Sequence, residues 1–175
     1  MKFIVVRHGQ TNFNKTGRLQ GQIDSDLTQV GLEQCYEVKE SLRNTPIDLI
    51  ISSPLDRTKK LAEIINEDRN VPLFYDNRLK ERSYGNLEAK HVEEVDIDSL
   101  WNLEENLDST VEELTALFDR TSNLLDECKS NYKDKTILLV THSGTSIAIA
   151  CYFKGLQENL LKLALKNCEI TTFFL

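Results

Sequence analysis

Two of the chain's three histidines stand directly after short apolar runs, His8 after FIVVR and His142 after TILLVT. Such near-continuous runs are expected of central strands covered on both faces. In an open α/β sheet, ligands bind in the crevice beyond the carboxyl ends of the strands, so a residue immediately after a central strand stands where chemistry is done. Each histidine is followed by small residues, Gly9 in one case and Ser143-Gly144-Thr145 in the other, whose backbone N–H groups can face an anion. Arg7 precedes His8, and Arg57 falls in SSPLDRT, which reads as the first turn of a helix. A cation is poorly placed at a helix N-terminus unless an anion is bound there as well. Arginine's planar fork holds two phosphate oxygens at once and stays charged, so the set points to phosphate chemistry. A lone histidine in such a position is often a hydrogen-bonded core residue, but a pair at equivalent strand ends is poorly explained that way. Two histidines and a carboxylate could also ligate zinc, yet Arg7 beside His8 would repel a cation, and no metal is expected. His91, in KHVEEV, has no strand-end placement and reads as a solvated helix residue.

Short β-rich runs alternate with longer segments of helical period, the pattern of parallel strands joined by crossover helices. The strands are expected at Phe3–Val6, Asp48–Ser52, Leu73–Asp76, Thr136–Thr141 and Glu169–Phe174. Between them, Thr28 opens a helix to about Leu42, and Ser53-Pro54 offers an N-cap with proline at the first helical position. Thr110-Val-Glu-Glu113 fits a capping box, and a further helix runs from about Ser143 to Phe153 before Gly155. The expected fold is a three-layer α/β/α arrangement with a mostly parallel sheet, one edge strand antiparallel. The chain reads as one domain over residues 1–175, with a weakly patterned lid insertion at about 83–109.

With 21 Lys and Arg against 28 Asp and Glu, the net charge is −7, which argues against a nucleic-acid partner or an anionic membrane surface. No apolar run approaches the roughly 18–20 residues of a membrane span, and MKFIVVRHG breaks too early for a signal peptide. The four cysteines, Cys35, Cys128, Cys151 and Cys168, form no CxxC and read as reduced core residues of a cytoplasmic protein. Oligomeric state is not readable, although EITTFFL could pair at a sheet edge.

RHGQT at residues 7–11 with Asn14 and GRLQG, then Asp26-Leu27-Thr28 with Gly31, SSPLDRT, LKERSYGNLE and THSGT occur in an order that resembles the histidine phosphatase superfamily, also called phosphoglycerate mutase-like. The resemblance runs from residue 2 to about residue 174. It implies that His8 is the nucleophile and carries a phosphohistidine, which divides one hard displacement into two easier ones. It implies further that Arg7, Arg57 and His142 clamp the phosphate, and that Glu81 donates a proton to the leaving oxygen and then activates water, with Glu88 a weaker substitute. Substrate contacts would come from Asn14, Gln20, Gly21, Ser143, Gly144, Arg82 and Tyr84. Neither cofactor nor metal is implied.

Within the family, ERSYG resembles the glycolytic mutase branch, while GNLEAK is similar to the phosphatase pattern except at Ala89. Residues 91–119 contain no Lys or Arg and ten acids, Glu93, Glu94, Asp96, Asp98, Glu104, Glu105, Asp108, Glu112, Glu113 and Asp119. Such a lid offers no cation to a second phosphate, so the expectation is a phosphatase acting on a small phosphorylated metabolite whose leaving group is neutral or cationic. A cofactor-dependent phosphoglycerate mutase, a protein phosphohistidine phosphatase and a non-catalytic phospho-ligand-binding regulator are the alternatives. Trp101, alone in the lid, either stacks on substrate or anchors the insertion, and the anchor is favoured.

Overall fold

A computed structural model of the chain, describing residues 1–103 and 108–175, assembles one five-stranded sheet. Its strands are β1 (Lys2–Arg7), β2 (Leu49–Ser52), β3 (Leu73–Tyr75), β4 (Thr136–Thr141) and β5 (Ile170–Phe174), in the order β3-β2-β4-β1-β5. The first four are parallel, and β5 runs antiparallel to β1 at the edge, in line with the expected mixed sheet. The helices are α1 (Asn12–Lys15), α2 (Gln29–Ser41), α3 (Asp56–Asn66), α4 (Ile97–Leu100), α5 (Leu114–Asn131) and α6 (Ser143–Lys154).

The two-residue period of the strands divides the core. Phe3, Val5, Leu49, Ile51, Ile137 and Leu139 pack against Leu124 and Leu125 of α5 and Ile149 of α6. Ile4, Val6, Ile50, Leu138 and Val140 face the other way, onto Val38 of α2 and Leu61, Ile64 and Ile65 of α3. Both faces are dry, so a one-residue slip of β1 or β4 would exchange one packed set for the other, and register is firmly fixed.

Helix starts follow the sequence only in part. The Thr28 hydroxyl accepts from the Gly31 amide at 3.0 Å and caps α2. Ser53-Pro54, however, does not start α3, which begins at Asp56 after Leu55 with no side-chain cap. The Ser53 hydroxyl accepts from the Leu55 amide at 3.3 Å and meets His142 Nε2 at 2.7 Å. The capping box at Thr110 is not formed either; its hydroxyl donates to Asp108 Oδ1 at 2.6 Å, and α5 starts at Leu114. α6 reaches Lys154, one residue further than its apolar pattern suggests, and stops at Gly155, whose φ of 76° favours glycine.

The segment expected as a lid holds α4 and single 3₁₀ turns over its described residues. Its apolar side chains form a third cluster, in which Tyr84, Leu100 and Trp101 pack on Leu114 and Leu117 of α5 and Ile147 of α6. Trp101 is buried there, consistent with the anchor. The lid acids Glu104 and Glu105 lie outside the described residues. Among the described residues, no helix is long and apolar enough to cross a membrane.

Candidate active site

β1 and β4 are neighbours in parallel register, with Arg7 opposite Thr141. The next residue of each strand is a histidine, so His8 and His142 leave the sheet side by side, their ring centroids 5.3 Å apart and their planes inclined by 60°. His8 Nδ1 lies 2.8 Å from the Gly9 carbonyl oxygen. A carbonyl can only accept, so in the neutral ring Nδ1 carries the hydrogen and Nε2 keeps its lone pair. Burial, then the charges of Arg7 and Arg57, hold His8 well below its usual value of 6.5. His142 is held well below 6.5 by burial and then by Arg57, with its Nε2 on the Ser53 hydroxyl.

Arg57 occupies the first turn of α3 at 2% exposure. Its Nη2 donates to the Gly21 carbonyl at 2.6 Å, and its Nη1 to the Ile23 carbonyl and to Asp24 Oδ1, each at 3.0 Å. Arg7 Nη1 donates to the Leu165 carbonyl at 2.8 Å. Burial draws both guanidinium pKa values down, with Glu81 opposing it most strongly in each case. Both remain cations, because arginine does not deprotonate at any working pH.

Glu81 is locked at the start of α6. Its Oε1 accepts from the amides of Arg82 at 2.8 Å and Thr145 at 3.1 Å, and its Oε2 from the Gly144 amide at 3.0 Å. The Gly144 N–H, expected to serve phosphate, therefore serves Glu81 here. A Cβ at Gly144 would stand 2.5 Å from Glu81 Oε1, so glycine is what permits the approach.

Arg7, His8, Arg57, Glu81 and Gly144 border one cavity of about 240 Å³, together with Asn14, Gln20, Gly21, Tyr84 and Ser143. Three buried atoms of residues that border the cavity have no hydrogen-bond partner, Nε of Arg7, Nε of Arg57 and Nε2 of Gln20; Nδ1 of His142 has none either, but that ring stands beside His8 and does not itself border the cavity. Each such group costs about 1–3 kcal/mol when left unpaired, so their convergence describes a cradle for an anion.

Among the seven residues expected as substrate contacts outside the clamp, Arg82 is the one turned away. Its Nε donates to the Glu112 carbonyl at 2.8 Å, its Nη1 donates to the Leu100 carbonyl, and its guanidinium lies 5.2 Å from the Trp101 ring centroid. It ties the lid together and does not border the cavity. Glu88 is also scaffolding: its two carboxylate oxygens accept from the amides of Gln22 at 2.9 Å, Tyr84 at 3.0 Å and Ile23 at 3.2 Å. That grip shapes the loop whose carbonyls hold Arg57. His91 is exposed.

Sequence reasoning missed Ser53 as the partner of His142, Asp24 as the partner of Arg57, and Asn167, whose Nδ2 donates to the His8 carbonyl at 3.0 Å and to Asn14 Oδ1 at 3.1 Å. None of the three carries a local signal, since each acts across at least 33 residues of sequence. Among the described residues, no group of three or more His, Cys, Asp or Glu stands where it could hold a metal ion.

The model of the histidine phosphatase superfamily (branch 1) matches residues 3–174 of the chain. A Hydrogenobacter thermophilus protein that carries the name of a phosphoserine phosphatase is 33% identical over 97% of this chain and 87% of its own length. The Escherichia coli K12 protein bearing the name phosphoglycerate mutase GpmB is 35% identical over 98% of this chain and 83% of its own. The crystal structure of phosphoserine phosphatase from Entamoeba histolytica in complex with 3-phosphoglyceric acid, 32% identical, superposes with a TM-score of 0.83 over 99% of this chain and 90% of that one. With paired histidines at the ends of two central strands, two buried arginines and a family match across nearly its whole length, the chain belongs to the histidine phosphatase superfamily, branch 1.

Proposed function

We propose that the chain is a phosphatase that hydrolyses phosphate monoesters of small molecules in the cytoplasm through a phosphohistidine on His8, as one domain with a lid insertion at about 83–109. The observation that carries this reading is the set of unpaired donors, from Arg7, Arg57 and Gln20, gathered at the cavity that a neutral His8 borders. A phosphoryl group spreads charge over three equatorial oxygens, so catalysis requires positioned cations and donors more than covalent machinery. Arg7, Arg57 and His142 supply them, with Asn14 and Gln20 as neutral donors.

In the first half-reaction the Nε2 lone pair of His8 attacks phosphorus while the bond to the ester oxygen breaks, and the Glu81 carboxyl gives that oxygen its proton. In the second, Glu81 takes a proton from water as the water oxygen bonds to phosphorus; the N–P bond breaks and its electron pair returns to Nε2. The three backbone amides on Glu81 fix its direction and favour the carboxylate, the form that takes the proton from water in the second half-reaction. Neither a metal nor a cofactor is called for in either step.

Orthophosphate release from a panel of phosphate monoesters, for wild type and His8→Ala, tests the proposal. We expect the variant to lose about 10³-fold or more in kcat, in keeping with removal of a covalent nucleophile. Equal rates in the two proteins, or primer-dependent isomerisation of 3-phosphoglycerate faster than its hydrolysis, would overturn it.

A further inference from the structure

The cavity has two unlike sides. Strand and helix ends contribute Arg7, His8, Arg57, Ser143 and Gly144, whereas the strap at residues 17–19 and the lid contribute Arg18, Leu19, Val92, Ile97 and Trp101. Strap and lid are laced by the Leu19 amide to the Lys90 carbonyl at 2.9 Å, the Ala89 amide to the Leu19 carbonyl at 2.7 Å and the Val92 amide to the Gly17 carbonyl at 2.9 Å. On this second side Arg18 is the one charged residue among those described. Its Nη1 donates to the Ala89 carbonyl at 2.7 Å, and it has no carboxylate partner among the described residues. Arg7 of the same cavity also has none among the described residues, whereas Arg57 and Arg120 have one each and Arg78 has two. The acids expected to colour this wall, Glu93, Glu94, Asp96 and Asp98, are exposed and do not border the cavity.

We propose that Arg18 is a specificity-determining residue that binds a carboxylate carried by the leaving group of the substrate, an inference that rests on the phosphatase reading of the same cavity. Arg18, itself partly buried, stands beside Leu19, Val92, Ile97 and Trp101, and an anion delivered there forms a charge-assisted hydrogen bond with its guanidinium. A cavity of about 240 Å³ lies below the roughly 300–1,000 Å³ of common ligand sites, which favours a carboxylate over a second phosphate. The neutral or cationic leaving group expected from the acidic lid gives way to one that is anionic.

The test compares 3-phosphoglycerate with glycerol 3-phosphate, which differ only in carboxylate against hydroxymethyl, on the His8→Ala protein, where binding is read without turnover. Trp101, the chain's single tryptophan, borders the cavity and reports occupancy by fluorescence. We expect 3-phosphoglycerate to bind about tenfold more tightly, as for one hydrogen bond to a charged group. Adding Arg18→Met should bring that ratio to about one while leaving glycerol 3-phosphate affinity unchanged, and Arg18→Lys should restore part of it. A ratio near one before Arg18 is altered, no binding of either ligand, or an equal loss on both ligands in Arg18→Met would overturn the assignment; the last would make Arg18 only a brace for Ala89. If both ligands bind in the expected ratio but wild type releases orthophosphate from no monoester of the panel, the phosphatase reading falls and Arg18 stands as the carboxylate contact of a bound phospho-ligand.

Discussion

Two neutral histidines buried at the ends of β1 and β4 should make the fold lose stability as pH falls below about 6.5. Desolvation is the main cause holding both rings well below 6.5, whereas in the unfolded chain they titrate at 6.5. Below that pH the unfolded chain binds protons that the folded one refuses, so the stabilisation is complete above pH 7 and shrinks on acidification. At pH 5.5, one unit below the unfolded value, each ring costs about 1.4 kcal/mol, against about 0.2 kcal/mol at pH 7. The pair therefore lowers the unfolding free energy by about 2.5 kcal/mol across that interval, a sizeable part of the roughly 5–15 kcal/mol a domain possesses. The carboxylates that the fold holds down, Asp48, Asp68, Asp76, Asp96 and Asp108, titrate near 3.8 when unfolded, which is below this window. Urea unfolding at pH 7.0 and pH 5.5, in phosphate-free buffer of constant ionic strength and followed by Trp101 fluorescence, measures the difference. His142→Asn should remove about half of it. An unfolding free energy that is equal at the two pH values, or higher at pH 5.5, would show that the rings take up protons in the folded state and would refute the neutral, lone-pair-bearing His8.

Two substitutions probe the scaffold behind the chemistry. Gly31→Ala would place a Cβ 2.0 Å from the Gln10 carbonyl oxygen, so α2 must shift from the catalytic loop; thermal unfolding should show a loss of about 1–3 kcal/mol, where a free helical site would gain about 1 kcal/mol from the same change. Glu88→Ala removes the acceptor for the amides of Gln22, Ile23 and Tyr84 and should loosen the loop that holds Arg57; we expect kcat/KM on a phosphate monoester to fall about tenfold or more while Glu88→Gln retains most of it, and equal activity in Glu88→Ala would refute the positioning role.

Much of the framework could be read in the sequence because it depends on local pattern. FIVV and TILLV are recognisable as two-sided strands, and the five strand positions agree with the structure to within a residue at each end. That His8 and His142 stand at equivalent strand ends is legible in the sequence, but only the sheet order shows that β1 and β4 touch. What failed were signals that more than one partner could claim. Ser53 has the sequence of an N-cap, yet its hydroxyl is shared between the Leu55 amide at 3.3 Å and the buried His142 imidazole at 2.7 Å, and α3 starts only at Asp56. Arg82 has the sequence of a substrate contact, yet the rings of Tyr84 and Trp101 and the carbonyls of Leu100 and Glu112 surround its guanidinium first. Asp24 and Asn167 were invisible because their partners are distant in the chain and each is one among many polar residues in loops.

The acidity of the lid shows why a sum over sequence misleads about a pocket. Residues 91–119 hold ten acids, leaving 18 acids against 21 Lys and Arg in the rest of the chain. That imbalance describes the molecule's outer field, which acts over about a Debye length and bears on how an anion approaches. It does not describe the wall that meets a bound substrate. Along 92–101 the lid alternates Val92, Val95, Ile97, Leu100 and Trp101 with Glu93, Glu94, Asp96 and Asp98, and the segment lies so that the apolar set joins the lid core or the cavity while the acids stay exposed. Glu112, another of the ten, is paired with Arg120 at 2.7 Å. The charge that does reach the cavity from this side comes from the strap, in Arg18, and it has the opposite sign. On the reading proposed above, selectivity at the leaving group follows from which residues of an alternating segment face inward, a property set by the packing of Trp101 and Leu100 onto α5 and α6 and not by the segment's net charge.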